Sequence, residues 1–188
     1  MATSEQLREL LLSPEQAAAL DAPGRTDAAV LVPLYLDGGA LHAVFTKRRD
    51  DLSHHAGEIS FPGGRQDFPD EDLRTTALRE AHEEIGLPPD EVELVGALPP
   101  TPTIVTNYRI HPFVGVIKPG REWTLQPTEV ETILELALPD LIAGFEMKRL
   151  VRKGVPFKTA TYTVNDNMIW GATARIVQSL LQRLEPLL

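Results

Sequence analysis

The sequence predicts an α/β sandwich built on a mixed β-sheet. Runs rich in Val, Leu and aromatic residues fill the middle of the chain, one helical pattern interrupts them, and a second ends the chain. With 188 residues, 43% of them hydrophobic, the chain is long enough to bury one sizeable core. We therefore expect a single domain, with residues 1–27 as a helical attachment and residues 28–188 as the core.

The attachment is expected to contain two short helices. Leu7, Leu10 and Leu11 recur at helical spacing, and Ser13-Pro14-Glu15-Gln16 follows them. A capping Ser, a Pro in the first turn and a Gln three residues after the cap together indicate a helix start.

Seven strands are predicted from the apolar runs and the turn residues between them. Asp37-Gly38-Gly39 is a hairpin signal between the first two strands. The third is expected to end sharply at a turn formed by Pro62, Gly63 and Gly64. The predicted strands are Ala29–Leu36, Leu41–Thr46, Glu58–Phe61, Val92–Leu98, Tyr108–Ile117, Val130–Leu138 and Thr159–Val164.

Two further helices follow from apolar periodicity. Leu73, Ala77, Ala81 and Ile85 recur every four positions, and Gly86 follows as a stop, which predicts a helix over residues 73–85. A last helix is predicted from about residue 172, with a single apolar stripe for core packing. The stripe consists of Ile176, Val177, Leu180, Leu181 and Leu184.

Three carboxylates crowd one turn of the central helix. At 3.6 residues per turn, Glu80, Glu83 and Glu84 share a face, and Arg79 lies one turn from Glu83. A hard divalent cation such as Mg²⁺ would relieve their repulsion and accept their oxygens as ligands. The preceding Gly63-Gly64 pair allows a tight backbone approach that brings a carbonyl oxygen to the same cation. A solvated acidic face is the alternative for such a cluster taken alone.

Composition excludes several function classes. The chain has no cysteine, so it offers neither disulfides nor thiolate metal ligands nor a cysteine nucleophile. Its formal charge of −9 disfavours nonspecific binding to nucleic acid or anionic membranes. No leader pattern is evident and no apolar stretch approaches the roughly 18 residues that span a bilayer, so we expect a cytoplasmic protein.

The stretch GGRQDFPDEDLRTTALREAHEEIGL resembles the Nudix box, G-x5-E-x7-R-E-U-x-E-E-x-G-U with U aliphatic. The match runs from Glu71 through Arg79-Glu80 to Glu83-Glu84 and Gly86, whereas Gly64 stands one residue further from Glu71 than in the pattern. The resemblance implies a Nudix α/β/α sandwich that cleaves diphosphate bonds with Mg²⁺ or Mn²⁺.

The resemblance also implies roles for individual residues. Glu80 and Glu84 would be the principal metal ligands, completed by Glu83 and the Gly63 carbonyl. Arg79 would orient the acids. The general base stays open between a helix glutamate and a loop acid such as Glu129 or Glu131.

A second set of positions is similar to the coenzyme A diphosphatase branch of that family. It comprises Val44-Phe45-Thr46-Lys47-Arg48, Gly57, Ser60-Phe61-Pro62-Gly63-Gly64, Tyr108, His111-Pro112-Phe113-Val114-Gly115, Pro127, Glu129-Val130 and Ile169-Trp170-Gly171-Ala172-Thr173-Ala174. Arg49 and Ser53 depart from this branch. The likeness implies cleavage of coenzyme A to phosphopantetheine and adenosine 3′,5′-diphosphate.

Several alternatives stay open. Arg48, Gly63, Gly64 and Arg65 are candidates for substrate contacts, with solvated loop charge as the rival explanation for the two arginines. ADP-ribose or another nucleoside diphosphate derivative is an alternative substrate, and a catalytically silent binding domain is an alternative of another class. The chain is expected to be a monomer or a homodimer. His54 and His55 are weaker candidates for a phosphate contact, and Tyr108 and Trp170 for base stacking.

Overall fold

The computed structural model describes residues 3–49, 57–67, 72–103, 106–152 and 154–188. The proposed contacts of Ser53, His54, His55 and Glu71 lie outside these ranges. The described residues form α1 (Ser4–Leu10), α2 (Pro14–Ala18), β1 (Thr26–Asp37), β2 (Ala40–Arg48), β3 (Ile59–Ser60), β4 (Gly63–Arg65), α3 (Leu73–Ile85), β5 (Glu93–Ala97), β6 (Thr101–Pro102), β7 (Tyr108–Val116), β8 (Val130–Ala137), α4 (Leu138–Ala143), β9 (Phe145–Arg152), β10 (Val155–Val164), β11 (Asn167–Ile169) and α5 (Gly171–Leu184).

The larger of two sheets is mixed, as predicted, with β1 at its centre. β1 runs parallel to β7 along one side. Its other side pairs antiparallel with β2 at one end and β4 at the other. The path β3-β2-β1-β7-β5 is joined by β8 on β2 and β6 on β7, whereas β9, β10 and β11 form a separate antiparallel sheet.

Alternation along β1 builds two cores, one on each face of the larger sheet. Val30, Val32 and Leu34 pack with the buried residues of α5. Ala29, Leu31 and Tyr35 pack with Ala77, Ala81 and Ile85 of α3. Since side chains alternate between the faces of a strand, the sheet lies between helices, and the predicted α/β/α sandwich is confirmed.

The two N-terminal helices form where they were predicted. Ser13 and Gln16 make the reciprocal capping pair, in which each side chain accepts the other's backbone N–H, at 3.1 and 2.8 Å. Leu7 and Leu11 are buried in the core on the α5 side, so the helices pack onto the sheet.

The structure corrects the sequence predictions at several places, and it adds β6, α4 and β11, which were not predicted. Gly63 and Gly64 form strand β4 against β1 and not a turn, because close packing against Ala29 requires glycine there. The strand predicted over Thr159–Val164 begins earlier, at Val155. The segment FEMKRLVR, for which no strand was predicted, forms β9 because pairing with β10 satisfies its backbone. No helix among the described ranges is long and apolar enough to cross a membrane.

Candidate active site

Helix α3 has the predicted bounds and defined ends. The Asp72 side chain accepts a hydrogen bond from the backbone N–H of Arg74 at 2.7 Å and so caps the start of the helix. Gly86 ends it with a left-handed backbone, φ 67°, a conformation that glycine adopts without steric cost. The spacing of the acids along this helix is therefore fixed.

The three acids of α3, predicted to share one face of the helix, differ in exposure. Glu84 is only 6% exposed, the Glu80 side chain is 16% exposed and that of Glu83 is 55% exposed. Glu84 lies three residues after Ala81 and seven after Ala77, which are both buried against the sheet. The small alanines bring the helix close to the sheet, so Glu84 enters the interface while Glu83 stays in solvent.

Strand β4 lies directly against the two covered acids. The backbone N–H of Gly63 donates to Glu84 Oε2 at 3.3 Å. A Cβ atom on Gly64 would come within 2.4–2.6 Å of the three carboxylate atoms of Glu80, closer than real contacts allow. The glycine pair therefore serves close approach between strand and helix. The structure joins Glu84 to the Gly63 amide; metal contact by the Gly63 carbonyl stays a prediction.

Arg79 lies between the acids. Its Nη1 donates to Glu80 Oε1 at 3.0 Å and to Glu83 Oε2 at 3.1 Å. Its Nη2 lies 4.0 Å from Asp67 Oδ2. One guanidinium thus binds two helix carboxylates, and it brings to the site an acid, Asp67, that the sequence pattern did not single out.

The end of β2 and the turn before β8 bring Arg48 and Glu129 close to Glu84. Arg48 Nη1 lies 3.9 Å from Glu129 Oε2, and the backbone N–H of the following Arg49 donates to the carbonyl of Glu129 at 3.1 Å. Both charged side chains, those of Arg48 and Glu129, act electrostatically on Glu84. Glu131, the other acid considered as a base, lies in β8 and not in a loop, and it faces Lys47 at 3.6 Å.

The environment shifts the pKa values of the covered acids upward. Burial is the main cause for Glu84, whose pKa rises to about 8; nearby Glu80 and Glu129 raise it further, and the Gly63 amide and Arg48 oppose the rise. Burial also raises the pKa of Glu80, against the pull of Arg79. The charged forms of both carboxylates are therefore disfavoured in this environment.

Glu80 and Glu84 can supply some, but not all, of the ligands of a divalent cation. Among the described residues, no three His, Cys, Asp or Glu side chains form a group that could hold a metal by themselves. Glu80 and Glu84 offer oxygen ligands beside the glycines of β4, and Mg²⁺ commonly takes one or two carboxylates together with waters and substrate phosphates. A bound cation would also compensate the buried negative charge.

The segment after β7 holds the end of α3, a contact that no signal in the sequence indicated. The N–H groups of Thr124 and Gln126 donate to the carbonyls of Ile85 and Glu84, at 3.3 and 2.9 Å. Arg121 Nη2 donates to the Gly86 carbonyl at 2.8 Å. These contacts satisfy carbonyls left free at the helix end and fix the position of Glu84.

The structure also shows the surroundings of three other residues considered in the sequence analysis or lying on the acidic helix. Arg65 is exposed on β4 and forms no ion pair within the described part of the chain. His82 is exposed on α3. Trp170 packs against Phe157, with ring centroids 6.4 Å apart, which supports a packing role.

Comparison with known proteins identifies the class of this fold and site. Residues 25–153 match the NUDIX domain family, and the chain belongs to that family. It is a hydrolase of diphosphate bonds, and Nudix hydrolases generally use divalent ions such as Mg²⁺ or Mn²⁺.

The curated relatives include the uncharacterized Nudix hydrolase NudL of Enterobacter sp. (strain 638). It is 34% identical over 174 residues, which cover 90% of this chain and 88% of the relative. NudL of Citrobacter koseri is 34% identical over 158 residues, which cover 83% and 81%.

Solved structures share the fold at low sequence identity. A MutT/nudix family protein from Enterococcus faecalis has a TM-score of 0.57 at 12% identity and covers 88% of this chain and 64% of that chain. An Ap4A hydrolase binary complex from C. elegans has a TM-score of 0.53 at 18% identity, covering 63% and 85%.

Proposed function

We propose that this Nudix hydrolase cleaves the diphosphate of coenzyme A or one of its derivatives, giving phosphopantetheine and adenosine 3′,5′-diphosphate. The observation that carries the proposal is the convergence of Arg48 and Glu129 from neighbouring segments on the covered carboxylate of Glu84, on which Glu80 also acts. The first two residues belong to the set that resembles the coenzyme A branch, and the last two to the Nudix box.

Each residue has a distinct proposed role. Glu80 and Glu84 would hold the cation, Glu83 and the Gly63 carbonyl would complete its site, and Arg79 would position the carboxylates. When bound, the cation neutralises charge on the diphosphate and lowers the pKa of a water molecule. The attacking group in this proposal is water, as the resemblance to the Nudix family implies; the chain has no cysteine that could act as a nucleophile in its place.

The chemical step is a displacement at one phosphorus. The water oxygen forms a bond to this phosphorus while the bond from the phosphorus to the bridging oxygen breaks. The electron pair of the broken bond stays on the bridging oxygen, which leaves with the departing phosphate. Glu129 accepts the proton of the water in our proposal. It is preferred over Glu131 because Glu129 acts electrostatically on Glu84, whereas Glu131 faces Lys47.

Specificity for coenzyme A is assigned to strands β2 and β3, which lie next to the proposed metal ligands of α3. Thr46 Oγ1 lies 3.2 Å from Ser60 Oγ, and the backbone N–H of Arg48 donates to the Glu58 carbonyl at 3.0 Å. These contacts hold β2 and β3 together and fix the start of the Arg48 side chain. A guanidinium there forms charge-assisted hydrogen bonds with phosphate; Arg65 and the Gly63-Gly64 backbone are further proposed contacts.

The whole chain, with residues 1–27 packed on the core, is proposed to act as one domain.

A substrate panel with Mg²⁺ and with Mn²⁺ tests the proposal. Coenzyme A or a thioester of it is expected to have the highest kcat/KM among coenzyme A, dephospho-coenzyme A, ADP-ribose and dinucleoside polyphosphates. If ADP-ribose is turned over at least tenfold better, about 1.4 kcal/mol in transition-state stabilisation, the specificity assignment fails but the hydrolase assignment stands. Absence of metal-dependent turnover on every member would instead indicate a binding domain.

A further inference from the structure

One edge of the smaller sheet is formed by β9, and the other by the short strand β11. Within the described residues β9 pairs only with β10, in the order β11-β10-β9. The Thr163 N–H donates to the Gly144 carbonyl at 2.9 Å, just outside the register that pairs Phe145 with Tyr162 and Val151 with Pro156. Because antiparallel pairs alternate in hydrogen bonding, Phe145, Met147, Arg149 and Val151 point their backbone N–H and C=O groups away from β10.

Three of the same residues carry exposed apolar side chains. Phe145, Met147 and Val151 are 45%, 46% and 68% exposed, and β9 is eight residues long with no proline. Proteins usually protect a sheet edge with short strands, charged side chains, prolines or bulges, since an open edge is a template for another strand; of these, β9 has only charged side chains. β9 combines an open backbone edge with an apolar stripe.

The sequence of β9 is complementary to itself when two copies run antiparallel about Met147. In that register Met147 faces Met147 of the second copy, and Glu146 faces Lys148 of the second copy twice. Phe145 lies across from Arg149 of the second copy, where a cation–π contact is favourable. The Glu146 and Lys148 pairs fall at the closer, non-hydrogen-bonded positions, where side chains interact most strongly.

Neighbouring registers are less favourable. Moving the second copy along by one pair of residues in one direction places Lys148 directly opposite Lys148, and in the other direction Glu146 directly opposite Glu146. Like charges at directly opposed positions destabilise strand pairing. The charge pattern therefore selects both the partner and the register.

We propose that β9 is a homodimer interface, in which two copies of this chain join their three-stranded sheets antiparallel about Met147. The bonds exchanged are the backbone hydrogen bonds of Phe145, Met147 and Arg149 with the same residues of the second copy. Strand addition of this kind takes affinity from the main chain and specificity from the side chains. The proposal does not depend on the substrate.

Sedimentation equilibrium of the full chain over a wide range of protein concentrations tests the interface through paired charge reversals. Wild type is expected to be a dimer at the higher concentrations. Glu146→Lys alone and Lys148→Glu alone each create two like-charge pairs across the interface, besides replacing the Glu146–Lys148 ion pair within each copy. Each is therefore expected to raise the dissociation constant roughly tenfold or more. The double variant Glu146→Lys/Lys148→Glu is expected to recover the wild-type dissociation constant.

Mixing the two single variants gives a test specific to the register. In a heterodimer, one copy carries lysine at both positions and the other copy carries glutamate at both. Both opposed pairs are then complementary, so heterodimers are expected to exceed both homodimers. Glu185→Lys and Lys118→Glu, at exposed positions away from β9, control for net charge. All variants are expected to keep wild-type turnover and far-UV circular dichroism, since none of the substituted residues belongs to the proposed active site.

Met147→Cys provides a second readout in a chain that has no cysteine. Opposed hydrogen-bonded positions are about 5.5 Å apart at Cα, within disulfide range, so mild oxidation is expected to link two copies. The proposal would be overturned by a wild type that stays monomeric or by a dissociation constant that neither single reversal changes. A mixture of the two single variants without excess heterodimer would overturn it too. Binding of an unrelated extended peptide to β9 in place of a second copy would overturn it as well.

Discussion

The backbone N–H of Gly63 donates a hydrogen bond to the carboxylate of Glu84, with 3.3 Å between nitrogen and oxygen. This bond joins β4 to the last turn of α3. Its acceptor is the Glu84 carboxylate, whose pKa is raised because burial disfavours the charged form. The contact holds a candidate metal ligand in a poorly solvated position. Activity and stability are therefore expected to respond in opposite directions to changes at Glu84.

Glu84→Gln is expected to lower kcat/KM by roughly 100-fold or more, because it removes an anionic oxygen that stabilises charge through the cation. Steady-state turnover with saturating Mg²⁺ measures the effect, and circular dichroism verifies the fold. Glu185→Gln, at an exposed position, serves as control and is expected to be neutral. Near-wild-type activity would exclude Glu84 from the site, and global unfolding would show a structural role.

The same variant is expected to stabilise the metal-free protein at alkaline pH. The folded pKa of Glu84 is about 8, above its ordinary 4.5, so the folded state holds this proton more tightly than the unfolded state. The contribution of this bound proton to the free energy of unfolding is full below pH 4.5 and is lost as the pH rises through about 8.

Urea unfolding in chelator at a series of pH values measures this effect. Above about pH 8 the unfolding free energy of Glu84→Gln is expected to exceed that of wild type by an amount on the order of a few kcal/mol, and the gap is expected to close in acid. Parallel pH profiles for the two proteins would contradict the raised pKa.

Divalent metal is expected to raise the melting temperature of the metal-free protein, because a ligand that binds only the native state shifts the folding equilibrium by mass action. The gain is expected to shrink in Glu80→Gln and to persist in Glu185→Gln. Differential scanning calorimetry across millimolar Mg²⁺ or Mn²⁺ measures it. Equal gains in wild type and Glu80→Gln would remove Glu80 from the set of ligands.

Gly64→Ala is expected to reduce activity by displacing Glu80, since the new Cβ would come within 2.4–2.6 Å of the Glu80 carboxylate atoms. We expect turnover to fall about tenfold or more, together with weaker metal stabilisation. Gly120→Ala is the control: its Cβ meets nothing within 4 Å, but its φ of 71° carries strain. If both variants lose stability alike and keep activity, the position of Glu80 does not depend on Gly64.

Arg48→Ala is expected to impair hydrolysis of coenzyme A more than that of dephospho-coenzyme A, because only coenzyme A carries the additional ribose phosphate that a guanidinium can bind. The ratio of the two kcat/KM values is expected to change about tenfold. The matched control is Lys47→Ala, at a lysine that pairs with Glu131. An equal loss on both substrates would assign Arg48 to the diphosphate or to the position of Glu129.

Local signals predicted most of the elements. The four-residue spacing and Gly86 gave the bounds of α3, and the Ser13 cap gave the start of α2. Strands with clear apolar runs were located to within a few residues, such as β7. Local signals were insufficient for β9, whose mixed charges form no clear apolar run and whose backbone becomes a strand through pairing with β10. They also misassigned Gly63-Gly64, because a glycine pair indicates a turn when the neighbouring strand is unknown.

The fold class, the position of the acidic helix and the family resemblance of its motif could all be predicted from the sequence, since they depend on periodicity and on residues close together in the chain. Tertiary packing, in contrast, determines which acids are covered. It buries Glu84 beside Gly63 and leaves Glu83 exposed. It also brings Arg48, Glu129 and Asp67 from separate segments to the same helix. Burial and long-range proximity set the electrostatics of a carboxylate, and neither is encoded in the spacing of residues along one helix.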